Sequence, residues 1–265
     1  MALELAAASA LERAERAALF TAGYEGYLLP FHVDEAALGF MEHAFDLVPE
    51  ASLVARADAE PVGLANLGLR GADAWVGGIG VVPAHRGGGV GEALMRGLAD
   101  EARSRGSERV WLEVIEGNTA ALRLYEKLGY GHVRDVEVWS LPGENGGRST
   151  PVSLEEAHTF IRERRSGREP WQRSDATVSR LTELDPAPQG VLEDGGAAIV
   201  RQGPGRVTIV QLGGDAHAVL RLVRGLGATV SLVNLPVDDP AATAFRQLGG
   251  EVVARQHELL LELPA

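Results

Sequence analysis

The residues Arg86-Gly87-Gly88-Gly89-Val90-Gly91 separate an apolar run from a segment of helical periodicity. The apolar run, Trp75–Val82, predicts a buried strand that Pro83 ends. After the glycines, apolar residues recur at helical spacing: Val90, Leu94, Leu98 and Ala102. The first amides of a helix lack intrahelical partners and carry a partial positive charge, and glycines let the backbone approach a ligand. A strand, a glycine turn and a helix in this order therefore suit a phosphate or pyrophosphate, to which Arg86 would add a bidentate contact.

The glycine turn taken alone has a second interpretation, because such turns also connect a strand tightly to a helix without binding anything. Two common nucleotide motifs are not met. The stretch lacks the Lys-Ser/Thr ending of a P-loop, and it lacks the Rossmann pattern G-x-G-x-x-G with its later acidic residue.

Three more elements follow in order: a strand at Val110–Val114, a helical segment at Asn118–Tyr130 and a strand around Val133–Leu141. With the glycine turn they resemble the GNAT superfamily, the GCN5-related N-acetyltransferases, which transfer an acetyl group from acetyl-CoA to an amine. The resemblance covers Trp75 to Leu141 and includes the order and spacing of separate elements. It implies an α/β (α+β) fold with a mixed, mostly antiparallel sheet flanked by helices.

The resemblance also implies a cofactor site. The family pattern Arg/Gln-x-x-Gly-x-Gly/Ala, which binds the pyrophosphate, matches Arg86, Gly89 and Gly91. An Asn at the start of the next helix, here Asn118, contacts the cofactor in this family. Backbone N–H groups near Val81 and Val82 would hold the pantetheine arm and polarise the thioester carbonyl. The implied cofactor-binding set is Val81, Val82, Arg86, Gly87, Gly88, Gly89, Val90, Gly91 and Asn118.

The catalytic residues follow from the same resemblance. It places the general acid that protonates the leaving thiolate on Tyr125, although a helix tyrosine is also often part of a core. Only a neutral amine attacks, so a base must remove the ammonium proton. We predict Glu113 for this role, with Asp73 and Glu116 as open alternatives, and Glu113 also fits an ordinary solvated strand position.

The acceptor region is expected after the first helix, which the periodicity predicts at Leu3–Phe20 with Gly23 as its stop. The next segment gathers aromatic and imidazole side chains, and in GNAT folds this region lines the acceptor pocket. We predict substrate contacts from Tyr24, Tyr27, Phe31 and His32; the alternative is that they anchor a loop to the core. Then come a predicted helix and two strands joined by a turn: Asp34–Leu47, Ser52–Ala57 and Val62–Leu69.

The composition narrows the class of protein. The chain has 265 residues, 45% of them hydrophobic, which allows one large or two small domains. It has no cysteine, so we expect no disulfide, no thiolate metal site and no cysteinyl intermediate. We also expect acetyl-CoA as the co-substrate and no metal cofactor. A net charge of −12 argues against a nucleic-acid partner.

Residues 1–142 hold 21 acidic and 12 basic residues, and this acidic excess mildly favours a cationic amine as the substrate. No apolar run reaches membrane-spanning length and no signal peptide is evident, so we expect a cytoplasmic protein without a membrane partner.

The C-terminal half resembles the N-terminal half. Residues 143–151 have no periodic apolar pattern and are predicted to be a linker between a domain at 1–142 and a second at 152–265. A helix is predicted at Ser153–Ser166. A shift of 120 residues without gaps aligns identical residues in the same predicted order of strand, helix and strand: Val110, Leu112, Ala121, Leu128, Gly129, Val133 and Leu141 with Val230, Leu232, Ala241, Leu248, Gly249, Val253 and Leu261.

The second copy is predicted to be degenerate. Under the same shift Tyr125 aligns with Phe245, which has no hydroxyl, and Asn118 aligns with Asp238. The residues 213–218, Gly-Gly-Asp-Ala-His-Ala, replace the Arg-x-x-Gly-x-Gly pattern, and His217 there is expected to be a surface residue. We predict a structural role for this copy.

These inferences predict an acetyl-CoA-dependent N-acetyltransferase that acts directly on a primary amine of a small molecule. Two alternatives stay open: a protein or peptide N-terminal acetyltransferase, and a non-catalytic acyl-CoA-binding regulator. The oligomeric state, monomer or homodimer, is also left open.

Overall fold

The structure is a computed structural model that describes residues 3–144, 151–165, 167–193, 195–203, 205–225 and 229–264. The elements up to residue 141 are β1 Leu3–Ala7, α1 Arg13–Gly23, α2 Glu35–Ala44, β2 Leu53–Ala57, β3 Glu60–Arg70, β4 Asp73–Val81, α3 Val90–Ser104, β5 Arg109–Ile115, α4 Thr119–Lys127 and β6 Gly131–Leu141. The remaining elements are β7 Pro151–Val152, α5 Leu154–Arg164, α6 Asp175–Leu181, β8 Gln189–Glu193, β9 Gly196–Gly203, β10 Arg206–Gly214, α7 Ala216–Arg224, β11 Thr229–Pro236, α8 Pro240–Gln247 and β12 Glu251–Glu262.

The chain divides into two compact units, one formed by Met1–Val133 with His257–Ala265 and the other by Arg134–Gln256. In the first unit the strand order is β1-β2-β3-β4-β5-β12. Strands β1 to β4 pair antiparallel, and β4 pairs with β5 in parallel. Helices α1 and α2 cover one face of this sheet over a core that includes Phe20, Leu38 and Leu64. Helices α3 and α4 cover the other face over Leu94, Leu98 and Leu112.

The second unit repeats this plan, with the strand order β6-β11-β10-β9-β8-β7. Strands β7 to β10 pair antiparallel, and β10 pairs with β11 in parallel, as β4 does with β5. Strands β11 and β12 begin 120 residues after β5 and β6, at Thr229 against Arg109 and at Glu251 against Gly131. The predicted tandem fold with mixed, mostly antiparallel sheets is confirmed.

The compact units do not follow the chain division predicted from the sequence. The strand after α4 joins the second unit from Arg134 onward, and the strand after α8 joins the first unit from His257 onward. Consistent with this, Leu259 and Leu263 pack in the core under α3 and α4. Residues 145–150 of the predicted linker lie outside the described residues, while Pro151 begins β7. The domain boundaries at 142 and 152 therefore stay a prediction.

The prediction of a first helix at Leu3–Phe20 was wrong for its N-terminal part. Leu3–Ala7 is a strand that pairs with β2, Leu3 opposite Ala57 and Ala7 opposite Leu53. Alanine-rich composition favours a helix, but pairing along β2 outweighs this weak propensity. Helix α1 starts only at Arg13, where the backbone N–H of Glu12 donates to the Glu15 side chain, and it includes Gly23.

Two smaller predictions also change. Helix α2 ends at Ala44 rather than Leu47, because Asp46 has a positive φ of 52° and Leu47 bridges Gly68. The turn before β3 shortens to Asp58 and Ala59, both with positive φ, so β3 begins at Glu60. Within the described ranges, none of the helices has the length and apolar character needed to cross a lipid bilayer.

Candidate active site

The glycine turn leads into α3 as the sequence predicts. Gly87 and Gly89 have φ values of +76° and +85°, which side chains other than glycine rarely adopt. Gly89 is the N-cap of α3 and offers no side chain to bond the first helical amides. A Cβ added at Gly87 or Gly89 would meet no atom within 4 Å. Gly87 and Gly89 are exposed and no side chain caps α3, so an anion can approach the first amides of the helix. On the inner side Val90 is buried, and the α-carbon of Gly91 faces Leu124.

Arg86 was predicted to make a bidentate contact with a phosphate at the glycine turn, but its guanidinium bonds elsewhere. Its Nε donates to the Val81 carbonyl at 2.9 Å, and its Nη2 donates to the carbonyls of Gly23 and Glu25 at 3.1 and 2.7 Å. The Nε and Nη2 atoms of Arg86, which would make a bidentate contact with phosphate, therefore bond to backbone carbonyls instead. The prediction was based on the motif, which does not report where the side chain finds acceptors.

Strands β4 and β5 separate, and the gap between them opens next to the glycine turn. Their parallel pairing runs from Asp73–Trp75 with Arg109–Trp111 and then stops. The register between β3 and β4 shifts at Gly77-Gly78, where β4 carries a bulge. Beyond it the Val82 N–H donates to the Val62 carbonyl at 2.9 Å, so the predicted pantetheine contact cannot use this amide. Because alternate amides of a strand point to opposite edges, the Val81 N–H faces the gap.

Three of the four predicted acceptor residues lie together above this bulge. Tyr24 stacks on Phe31 with centroids 4.0 Å apart and meets Tyr27 edge-on at 4.8 Å. Phe20, which the sequence reasoning missed, completes the cluster at 5.2 Å from Tyr24 and 5.0 Å from Phe31. Its position four residues before Tyr24 on one helix face was the available signal. His32 is exposed.

The bulge makes room for this cluster. Gly78 has a φ of +125°, and a Cβ there would lie 2.5 Å from Phe20 Cζ and 3.1 Å from the Tyr24 hydroxyl. The Tyr24 hydroxyl accepts a hydrogen bond from the Ile79 backbone, whose amide faces the gap. Burial raises the pKa of the Tyr24 hydroxyl well above its ordinary value. The aromatic cluster is therefore fixed to the edge of β4 that borders the gap.

Asn118 joins α4 to the same cluster. Its side-chain oxygen accepts from the Ala121 N–H at 3.2 Å and caps α4. Burial raises the pKa of the Tyr27 hydroxyl, and a hydrogen bond from the Asn118 side chain partly opposes this rise. Asn118 thus contacts the predicted acceptor segment as well as the helix that carries Tyr125.

Tyr125 is buried on α4, with 5% of its surface exposed. Burial, and then the neighbouring Tyr130 and Tyr27, raise the pKa of the Tyr125 hydroxyl well above its ordinary value. The hydroxyl stays protonated at neutral pH and can donate a proton. Tyr130 lies 5.8 Å away between ring centroids, and its buried hydroxyl has no hydrogen-bond partner among the described residues.

The three candidate bases differ in their surroundings. Leu112 and Val114 pack under α3 and α4, so Glu113 between them points to the opposite face, which carries the aromatic cluster. Glu113 is half-buried, and its Oε2 accepts from the Trp75 indole at 2.8 Å. Asp73 is held by Arg109 at 2.7 Å and by the Trp111 indole at 2.8 Å, at the end of β4 away from the glycine turn. Glu116 is exposed after β5.

This combination of an open helix start, a strand gap and a buried tyrosine agrees with known proteins. A sequence profile described as the acetyltransferase (GNAT) family matches residues 12–130. The matched segment contains the glycine turn, the strand gap and Tyr125.

Curated relatives match only part of this chain. A streptothricin acetyltransferase from Streptomyces lavendulae is 48% identical over 52 residues, which are 20% of this chain and 28% of that protein. The ribosomal protein bS18-alanine N-acetyltransferase of Haemophilus influenzae is 36% identical over 76 residues, 29% of this chain and 51% of that protein. The chain thus spans about half or less of the length of these relatives.

Solved structures match the whole chain. A GCN5-related N-acetyltransferase from Sphaerobacter thermophilus superposes with a TM-score of 0.74 at 22% identity, over 98% of this chain and 95% of that one. A tandem GNAT protein from the clavulanic acid biosynthesis pathway superposes with a TM-score of 0.69 at 16% identity, over 100% of both chains. At these identities the likeness shows the fold, and this fold is the tandem GNAT fold.

Among its described residues, the second unit lacks the features of the first site. The Asp215 carboxylate accepts from the Ala218 N–H at 3.1 Å, so the start of α7 already carries its own anion. Phe245, at the position of Tyr125, is fully buried and lies 5.3 Å from Trp139 between ring centroids. The capping residue of α8 is Asp239, one position after Asp238, which the shift of 120 residues aligns with Asn118. His217 bonds to Gln247 on α8.

A buried arginine lies where β10 and β11 of this unit separate. Their parallel pairing ends at Ile209 with Leu232, and the register of β10 shifts before Gln211. Gln211 is fully buried and donates to the backbone carbonyl of Arg173 at 2.6 Å. Arg173 is 1% exposed and pairs with Glu169 at 3.2 Å. Where β10 and β11 stop pairing, Gln211 thus bonds to the Arg173 backbone, and the Arg173 side chain pairs with Glu169.

Proposed function

We propose that the N-terminal GNAT domain transfers an acetyl group from acetyl-CoA directly to a primary amine of a small molecule. One observation carries the proposal: buried Tyr125 interacts electrostatically with Tyr24 and Tyr27 of the aromatic cluster, beside the point where β4 and β5 stop pairing and near a helix start without a side-chain cap. Each of these features has a separate role in acetyl transfer.

The backbone N–H groups of residues 87–91 are the groups we assign to the pyrophosphate of acetyl-CoA. Anion binding at a helix start needs backbone donors and close approach, and the open space at Gly87 and Gly89 provides both. In the gap, the Val81 N–H is placed to donate to the thioester carbonyl oxygen, where negative charge develops during attack. Val90, Gly88 and Gly91 shape this loop, and Asn118 holds the start of the next helix.

The reaction requires three proton transfers. The amine nitrogen attacks the acetyl carbon once its ammonium proton has moved to a base, and we assign Glu113 on the aromatic face of β5. The carbon–sulfur bond then breaks, and Tyr125 gives its proton to the departing thiolate. The nitrogen, now bonded to the acetyl carbon, loses its remaining extra proton, which restores the Tyr125 hydroxyl. Burial keeps the Tyr125 hydroxyl protonated throughout the neutral range, so its proton is available for the thiolate.

A small amine is the acceptor that we favour. Tyr24, Tyr27 and Phe31 form an aromatic wall, and the chain carries a net charge of −12. Aromatic faces attract cations, as does an acidic protein surface. The match to a streptothricin acetyltransferase supports this acceptor class. The match to a ribosomal-protein alanine N-acetyltransferase supports a second candidate, a protein N-terminus.

The test uses the full-length chain with acetyl-CoA and a panel of amines: a polyamine, an aminoglycoside, amino acids and a peptide with a free N-terminal alanine. Release of free CoA and the mass of the product are both measured. Gly89→Glu places an anion where the pyrophosphate would bind. Gly106→Glu is the matched control, because Gly106 has a similar φ of +84° and no atom within 4 Å of an added Cβ.

We expect an acetylated small amine with the wild type and Gly106→Glu, and none with Gly89→Glu. Acetylation of the peptide alone would replace the small-molecule proposal by the protein one. Binding of acetyl-CoA without acetylation of any amine in the panel would point to an acyl-CoA-binding regulator.

A further inference from the structure

Arg86 connects two parts of the GNAT domain that have separate roles. We call residues 87–91 the cofactor loop and residues 24–32 the acceptor segment. The Arg86 guanidinium donates to the Gly23 and Glu25 carbonyls, at the junction of α1 with the acceptor segment, and to the Val81 carbonyl at the end of β4. Arg86 itself directly precedes the cofactor loop.

The end of α1 needs such a partner. The last carbonyls of a helix lack intrahelical donors and carry a partial negative charge, which a cation stabilises. The last turn of α1 contains no basic residue. Arg86, which follows β4 in the chain, supplies this cation through its bonds to the Gly23 and Glu25 carbonyls.

The same junction is packed backbone against backbone. A Cβ added at Gly23 would lie 2.7 Å from the carbonyl carbon of Gly80, and one added at Gly80 would lie 2.9 Å from the Gly23 α-carbon. No side chain separates the end of α1 from the end of β4. Arg86 bonds to both sides of this contact, through the Gly23 carbonyl on α1 and the Val81 carbonyl on β4.

The other anchors of the acceptor segment also lead to the cofactor side. The Tyr24 hydroxyl bonds to the Ile79 backbone on β4, and the Tyr27 hydroxyl bonds to the Asn118 side chain at the start of α4. Together with Arg86, these bonds attach the segment to the strand, loop and helix that we assign to acetyl-CoA.

We propose that Arg86 is a positioning residue, which holds the acceptor segment in place and couples its order to occupancy of the cofactor loop. This inference rests on the proposed binding of acetyl-CoA at that loop. When acetyl-CoA orders the cofactor loop, Arg86 also becomes ordered and so do its partners Gly23 and Glu25. Because coupling is reciprocal, an ordered acceptor segment in turn favours binding of acetyl-CoA. Arg86 is then not the main phosphate ligand of the motif.

The experiment measures hydrogen–deuterium exchange and acetyl-CoA affinity on the full-length protein. The variants are Arg86→Ala, Arg86→Lys and the matched control Arg96→Ala, which removes the same charge from an exposed position paired with Glu92 on α3. Lysine keeps the charge, but one ammonium group cannot reproduce the planar fork that serves carbonyls on two elements. Calorimetric titration with acetyl-CoA gives the affinity of each variant.

We expect peptides from residues 20–33 to exchange about tenfold faster or more in both Arg86 variants, since local opening becomes easier. Acetyl-CoA should slow their exchange in the wild type and in Arg96→Ala, and much less in the Arg86 variants. The affinity for acetyl-CoA should fall by less than about fivefold, because the backbone donors of the loop remain.

The inference is overturned if exchange of residues 20–33 is unchanged in both Arg86 variants. It is also overturned if Arg86→Ala weakens acetyl-CoA binding by about 10- to 100-fold while Arg86→Lys restores it, which is the size of a lost charged hydrogen bond to phosphate. If the wild type binds no acetyl-CoA, the proposed function fails. Exchange of residues 20–33 without ligand still decides whether Arg86 positions the segment.

Discussion

Replacing Tyr125 by Phe removes one oxygen atom from a residue that is 5% exposed. The ring keeps its place against Tyr130, so the change tests the hydroxyl rather than the packing. Loss of a general acid costs about 10²- to 10⁴-fold in rate. Water in the gap can protonate the thiolate in its place, so we expect kcat to fall by about 10- to 1000-fold, or about 1.4–4 kcal/mol in the barrier. The acetyl-CoA affinity should change by less than about threefold, since we assign its binding to backbone groups.

Tyr130→Phe is the matched control for this change. Its hydroxyl is buried without a hydrogen-bond partner among the described residues, and burying an unsatisfied hydroxyl is unfavourable. Tyr130→Phe should therefore leave kcat within about twofold and leave the free energy of unfolding unchanged or raised. The assays are steady-state CoA release with the best amine, calorimetric acetyl-CoA titration and urea unfolding. An unchanged kcat in Tyr125→Phe, or an equal loss in Tyr130→Phe, would remove Tyr125 from the mechanism.

Three further predictions concern the strand bulge, the titration of the tyrosines and the second unit. Gly78→Ala should lower the free energy of unfolding by about 2–5 kcal/mol through backbone strain and overlap with Phe20, whereas Gly71→Ala, with positive φ but open space, should cost about 1–2 kcal/mol; equal losses in urea unfolding would reject the bulge packing. Asp239→Ala should destabilise by about 0.5–2 kcal/mol as a lost helix cap, and Asp238→Ala by less than about 0.5 kcal/mol, with acetyl-CoA binding unchanged in both; a binding loss would give the second unit a role in the site. Buried tyrosines with pKa values raised in the folded protein stabilise it below the ordinary pKa of about 10, and this contribution is lost as pH rises toward the folded values, by up to about 1.4 kcal/mol per pH unit for each group. Unfolding at increasing pH above about 9 should show this fall, and Tyr125→Phe should make it less steep, whereas an identical slope would contradict burial of the neutral hydroxyl; the groups concerned are Tyr24, Tyr125 and Tyr130.

Much of the local structure could be predicted from the sequence. The start of α3 after Gly89 follows from left-handed glycines and helical spacing, which are local properties. The repeat at a shift of 120 residues predicted β11 and β12 from β5 and β6, because identical apolar positions need the same pairing. The aromatic cluster was anticipated from the concentration of Tyr24, Tyr27 and Phe31 in one segment.

The remaining features depend on contacts between distant residues. Leu3–Ala7 has a helical composition and becomes a strand only because β2 offers its edge. The acceptors of Arg86 lie up to 63 positions away in the chain, so the motif alone could not show that its side chain bonds to Gly23 and Glu25. Likewise, no pattern in residues 257–265 indicates that they complete the first unit.

The central claim is that the first unit alone binds acetyl-CoA, through the cofactor loop. The most direct measurement is calorimetric titration of the full-length protein with acetyl-CoA, because the first unit includes the C-terminal residues and cannot be cut out as one segment. We predict one equivalent bound, lost in Gly89→Glu and kept in Gly106→Glu. No binding by the wild type, or binding that survives Gly89→Glu, would contradict the assignment of the glycine turn to the cofactor.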